Sequence, residues 1–251
     1  EDKCFDARIV SREEGILAGV EIIKSLFREY GIEVISSMND GDGIAEGDVI
    51  LELSGNARTI LTLERTALNL LMRMCGVATA TNRVVVKVRE VNPKIRIAGT
   101  RKTMPALKRF DKLAIAIGGG DTHRYSLDDM VMIKDNHIAV VGSVKEALAI
   151  AKENISFSKK IEIEVETKED AIIAAEGGAD IVMFDNMGFE ESQEALKLLE
   201  EKNLRDRVLI EFSGDVNEDN ILNYAPLDVD IISLGSLTHS SRSLNLGLDM
   251  D

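Results

Sequence analysis

The spacing of apolar positions changes part-way along the chain. Over roughly the first sixty residues, short strand-like runs flank one helical stretch. RIVSREEG (8–15) reads as a strand and turn. Ile16, Val20, Ile23, Leu26 and Phe27 recur at helical spacing, and Gly31 supplies the stop. The runs 32–37 and 49–55 read as strands, parted by the Gly/Asp-rich turn NDGDGIAEGD (39–48). Strand, helix, strand, strand without regular alternation predicts a small α+β domain.

From Ile60 a helical pattern runs to Val91, with a break expected near Gly76. Beyond it, strands and helices alternate. Strands are expected at 94–99, 130–135, 161–166, 180–186, 207–214 and 229–236, and helices at 105–117, 143–154, 168–178, 189–203 and 217–225. Ser143 followed by Glu146 is a capping box for the second of these helices. This alternation suits βαβ units. Polar residues end nearly every strand, which favours a parallel α/β barrel over a doubly wound open sheet.

Composition narrows the function. The 251 residues are 45% hydrophobic and 29% charged, which is globular and excludes disorder or a rod. With 44 acids against 30 bases the net charge is −14, the wrong sign for a non-specific nucleic-acid binder. A polyanionic ligand therefore needs a local basic cluster. The two cysteines, Cys4 and Cys75, form no disulfide framework, and a reducing cytoplasm fits best. No apolar run reaches the roughly 18 residues of a membrane span, and no signal peptide opens the chain. Strand-like text begins almost at once after Glu1, so further residues are expected ahead of it.

The candidate chemistry sits at the strand ends. The strand 94–99 runs into Thr100, Arg101, Lys102 and Thr103, and the next one reaches Lys134, Asp135, Asn136 and His137. IEIEVE places Ile161, Ile163 and Val165 on one face and Glu162, Glu164 and Glu166 on the other. In a barrel the apolar face meets the helices, so the acids face the interior and mouth. Such acids need cations or a metal. Asp185 and Asn186 end the following strand. Ser213-Gly214 and Gly235-Ser236 end the last two, where backbone N–H groups hold phosphates in this architecture. GGGDTHR (118–124) gives a loop able to approach a ligand closely, carrying His123 and Arg124. There is no P-loop, no nucleophile elbow and no pair of histidines with metal-ligand spacing.

In order along the chain come ERTALNLL (64–71), TRKTMPALK (100–108), GGGDTHR (118–124), IKDNHI (133–138), EIEVE (162–166), FDN (184–186), FSG (212–214) and LGSLTHS (234–240). Together they resemble the quinolinate phosphoribosyltransferase family, from about Arg8 to the C-terminus. The resemblance implies an N-terminal open-faced α/β sandwich (1–65), an incomplete parallel α/β barrel (66–243) and a tail (244–251) that returns to the sandwich. It also implies transfer of phosphoribosyl from phosphoribosyl pyrophosphate to quinolinate with loss of CO2 and pyrophosphate, in de novo NAD synthesis.

By the same resemblance Arg101, Lys102, His123, Arg124 and Lys134 form a cationic bowl for the quinolinate carboxylates and part of the pyrophosphate. Glu164 and Asp185 face the ribose and its Mg²⁺, with Lys134 acting alongside them. Ser213, Gly214, Gly235 and Ser236 bind the 5-phosphate. Arg65 is donated by the partner subunit of a homodimer. Two positions depart from the pattern: Asp215 stands where a glycine is usual, able to repel the phosphate or to cap the next helix, and Gly99 precedes TRKT. Within the fold, a homologue from the molybdenum-transport context and nicotinate phosphoribosyltransferase are the rival enzymes. A non-catalytic ligand-binding homologue is the rival from another class.

Overall fold

The computed structural model describes residues 4–250. Its elements in chain order begin with β1 (Cys4–Ser11), β2 (Gly15–Ile16), α1 (Val20–Glu29), β3 (Glu33–Ser37), β4 (Gly43–Ile44), β5 (Val49–Asn56) and α2 (Ala57–Val91). β6 (Arg96–Gly99), α3 (Lys108–Ile117), β7 (Val131–Ile133), α4 (Asp135–Val141), α5 (Val144–Asn154), β8 (Ile161–Val165) and α6 (Lys168–Glu176) follow. The chain closes with β9 (Ile181–Asp185), α7 (Phe189–Glu201), β10 (Leu209–Ser213), β11 (Ile231–Leu234), α8 (Ser236–His239) and β12 (Leu246–Met250). They fall into two compact units. One is made of residues 1–83, 103–120 and 237–251, and the other of 84–102 and 121–236.

The first unit holds an antiparallel sheet in the order β12-β1-β5-β3. Ala7 and Ile9 of β1 and Leu51 and Leu53 of β5 are buried, while Arg8 and Glu52 between them are not, so one face is apolar. Val20, Ile23 and Phe27 of α1 cover that face, joined by Ile60, Leu63, Ala67, Leu68 and Leu71 of α2. Asp40 Oδ1 accepts the Gly19 and Val20 N–H groups at 2.6 and 2.8 Å, satisfying the open start of α1.

The helix break expected at Gly76 is absent: α2 continues through it for 35 residues. A Cβ at Gly76 would collide with the Arg242 carbonyl oxygen, so this glycine serves close packing within the first unit. Nearby, Arg73 donates to both carboxylate oxygens of Asp111 on α3, at 3.0 and 3.2 Å, and also to the Thr238 and Ser241 carbonyls. Asp111 has no exposed surface and also accepts the Met104 N–H at 3.1 Å.

The second unit holds six parallel strands in the order β6-β11-β10-β9-β8-β7, the parallel βαβ arrangement expected from the alternation and, as an incomplete barrel, from the resemblance. Ile163, Val182, Phe184, Ile210, Phe212 and Ile232 form its buried rows. Asp121 bridges to Ala98 beside β6, which seats the loop carrying His123 against that edge. Ser143 caps α5 by accepting the Glu146 N–H at 3.2 Å, as the capping box required.

Two further local expectations fail. The helix expected at 217–225 is a single 3-10 turn, Ile221–Asn223, because Asn217 Oδ1 takes the N–H groups of Asp219 and Asn220 and folds a tight turn instead. The strand expected at 130–135 stops at Ile133, and Asp135 already begins α4. There the Lys134 N–H donates to His137 Nδ1 at 2.9 Å, closing the helix start through a side chain not usual in that role. Among the described residues no helix is long and apolar enough to cross a membrane.

Candidate active site

The sequence-marked groups of the second unit collect at the carboxyl ends of its parallel strands, where the chain leaves each strand for the next helix. Arg101 and Lys102 follow β6 and are exposed. Lys134 follows β7 and is half-buried, with its Nζ in direct contact with Glu164 Oε1 of β8. Asp185 ends β9 directly opposite Ser213, which ends β10. Ser213 Oγ accepts from Ser233 Oγ at 3.0 Å, and Ser236 Oγ donates to the Val216 carbonyl at 3.3 Å. Gly214, Gly235 and Ser236 are half-buried at the same rim. Arg65 lies in the first unit, exposed on α2, with Glu64 at 3.5 Å.

Strand alternation turns the glutamates inward, and the structure adds their partner. Glu162 has no exposed surface and Glu164 is half-buried, while Glu166 lies past the strand and is exposed. His123 Nε2 sits 3.1 Å from Glu162 Oε2 and 3.2 Å from Glu211 Oε2, and Glu211 is fully buried too. A single N–H aligns with one acceptor. The contact with Glu211 is the hydrogen bond, whereas both oxygens of Glu162 lack one. Burial disfavours charge on His123, but the two carboxylates outweigh it and push the imidazole up to about 10. Burial likewise pushes the Glu162 carboxyl above the usual range. The imidazolium therefore faces a buried acid pair and compensates it, which two carboxyls out of reach of solvent require.

Arg124 is buried as well, with its guanidinium 3.1 Å from Met132 Sδ. Burial lowers its proton affinity, the charge of Glu162 opposes that, and Arg101 adds to the lowering. Arg101, Arg124, Glu162 and Glu164 thus lie within electrostatic reach of one another. The result is a cationic rim over an acidic floor, suited to holding a polyanion within a protein of net charge −14.

His123, Glu162 and Glu211 also have ligand atoms within 4.8 Å of one another, the spacing of a metal site. Asp185 offers a different donor. Its Oδ1 accepts from the Asn186 amide at 3.2 Å, and its Oδ2 makes no hydrogen bond among the described residues. A carboxylate oxygen left open at a rim suits a hard cation that also takes phosphate oxygens.

Two groups carried no assignment in the sequence, Glu211 and Asn186. The signal for Glu211 was a lone acid inside the otherwise apolar run VLIEF. The signal for Asn186 was an Asn ending a strand, since Asn tolerates the left-handed backbone it adopts here, φ 55°.

Residues 77–249 match the profile of Quinolinate phosphoribosyl transferase, C-terminal domain, and residues 1–75 match that of its N-terminal domain. The chain belongs to the quinolinate phosphoribosyl transferase family. A probable nicotinate-nucleotide pyrophosphorylase [carboxylating] of Methanothermobacter thermautotrophicus is 50% identical over 244 residues, covering 97% of this chain and 88% of the relative. A protein with the same description from Methanocaldococcus jannaschii is 53% identical over 244 residues, covering 96% and 85%. The crystal structure of NadC from Streptococcus pyogenes superposes with a TM-score of 0.92 at 37% identity, covering 100% of this chain and 88% of that one.

Proposed function

We propose that the protein transfers phosphoribosyl from phosphoribosyl pyrophosphate to quinolinate with decarboxylation, giving nicotinate mononucleotide, pyrophosphate and CO2. The observation that carries this reading is the rim of Arg101, Arg124 and Lys134 set over ionisable Glu164 and Asp185, in a chain of this family. Both substrates are polyanions, and guanidinium forks pair with carboxylates and phosphates in bidentate fashion.

Arg101, Lys102, Arg124 and the His123 imidazolium hold the quinolinate carboxylates and orient the ring nitrogen toward the ribose. Lys134, in contact with Glu164, spans the two substrates. As pyrophosphate leaves, positive charge grows on the ribose, and the carboxylates of Glu164 and Asp185 stabilise it. Electron density left on the ring by loss of CO2 is stabilised by the same cations. Ser213, Gly214, Gly235 and Ser236 hold the 5-phosphate. Asp185, aided by Glu164, would hold Mg²⁺, which neutralises the leaving pyrophosphate when bound. A homodimer supplies Arg65 in trans, and a reducing cytoplasm is the setting.

Release of CO2 from carboxyl-labelled quinolinate tests the reading. It is expected only with phosphoribosyl pyrophosphate present, and chelator in excess should abolish it. No release in the complete mixture rejects the function, and release unaffected by chelator rejects the metal's part.

A further inference from the structure

Asn186 occupies an unusual position for a residue without an assigned role. Its backbone is left-handed, φ 55°, immediately after Asp185. Its N–H donates to the Ser213 carbonyl at 3.0 Å, tying the end of β9 to the end of β10. Its side-chain amide donates to Asp185 Oδ1 at 3.2 Å. Its Oδ1 and Cγ pack where a Cβ of residue 214 would stand, and Gly214 itself is left-handed, φ 109°. One side chain therefore touches the acid on one strand and the turn after the next. Each of these contacts constrains the others: the left-handed backbone aims the amide at Asp185, and the missing Cβ of Gly214 makes room for it.

We propose that Asn186 is a positioning residue that fixes Asp185 and the Ser213–Gly214 turn in a single relation, and thereby governs binding of the phosphoribosyl donor rather than of the pyridine acid. The inference rests on the functional reading above, because Asp185 and Ser213–Gly214 are the groups that reading gives to the donor's ribose, metal and 5-phosphate. The quinolinate groups are given to other segments of the chain. A defect at Asn186 should therefore be confined to one substrate.

Three variants separate the contributions. Asn186→Gly keeps access to the left-handed backbone and removes the amide. Asn186→Ala removes the amide and adds backbone strain. Asn186→Asp keeps the shape but sets a second carboxylate beside Asp185. For Asn186→Gly the KM for phosphoribosyl pyrophosphate should rise about ten-fold or more, as expected for loss of a hydrogen bond to a charged group, while the KM for quinolinate stays within about two-fold. Asn186→Ala should match or exceed that rise, and Asn186→Asp should exceed it. Amide exchange at residues 213–216, followed by mass spectrometry without substrate, should quicken in Asn186→Gly.

Wild-type kinetics for Asn186→Gly, or a parallel rise in both KM values, overturns the proposal. Quickened exchange does not rescue it in either case. Wild-type protein that releases no CO2 from quinolinate and donor fails at the functional reading instead, and the donor role of Asn186 falls with it. The exchange measurement then still decides whether Asn186 holds the turn.

Discussion

His123 Nε2 lies 3.1 Å from Glu162 Oε2 and shares its proton-bearing edge with Glu211, so one imidazole faces two acids that never meet solvent. With its ordinary value at 6.5 and its folded value raised to about 10, the imidazolium's contribution to stability is complete below 6.5. That contribution is lost as pH climbs through about 10. Nitrogen-15 ring shifts should show His123 doubly protonated across most of that window. Glu211→Gln should move the titration downward and flatten the alkaline fall of the thermal midpoint. An unmoved His123 titration in Glu211→Gln removes the acid pair from the explanation.

Lys134 separates function from stability. Its side chain is 43% exposed, and its partner is Glu164. Lys134→Ala should cost about 10²-fold or more in turnover, as loss of a cation facing developing charge does. Unfolding free energy should drop by no more than about 1 kcal/mol, since solvent already screens the pair. Near-normal turnover would sink the assignment.

Asp215 is exposed, and among the described residues its side chain caps no helix or turn. Its carbonyl accepts from the Asn220 amide at 2.8 Å, and Asn217 supplies the caps in that turn. The carboxylate is left beside the proposed phosphate turn, so Asp215→Gly should lower the KM for phosphoribosyl pyrophosphate and leave that for quinolinate unchanged. Identical donor KM values would place the carboxylate's charge out of reach of the phosphate.

Much of this site could be read from the chain, and the exceptions share a cause. Alternation in IEIEVE aimed Glu162 and Glu164 inward because a strand's two faces are fixed by period alone. The strand ends at Asp185 and Ser213 were legible to within one residue, because polar residues close each apolar run. Glu211 was not assigned, because its meaning depends on His123, which reaches it from another segment of the chain. Gly76 looked like a helix stop because the Arg242 carbonyl packed against it is distant in sequence. The turn at 217–225 kept an apolar spacing that suited a helix, and Asn217 overrode it through a local side-chain bond.

Asp111 should be the costliest single loss in the first unit. Removing one member of a buried, bidentate ion pair strands the other, so Asp111→Ala should destabilise by about 3–5 kcal/mol. The Met104 N–H loses its acceptor as well. Denaturant unfolding measures this directly, and a change below about 1 kcal/mol contradicts the anchoring role.

Arg65 offers a test of the shared site. Arg65→Ala and Lys134→Ala, each inactive alone, are co-refolded in equal amounts. Random mixing gives mixed dimers with one intact site of two, and activity near a quarter of wild type is expected. Mixed dimers that remain silent reject the contribution in trans.

Among the described residues the one strand paired with β6 is β11, and β1 takes one of its two partners from β12. The four-stranded and six-stranded sheets are thus each completed by a strand far along the chain from the one it joins. During translation the segment leading to Arg101 waits without its neighbour until residues 231–234 emerge. Pairings of such long range are slow, and they leave a strand edge open in the meantime. Assembly of the site consequently waits for Ile231–Leu234, and a nascent chain stalled before Ile231 should expose β6 to chaperones or to aggregation.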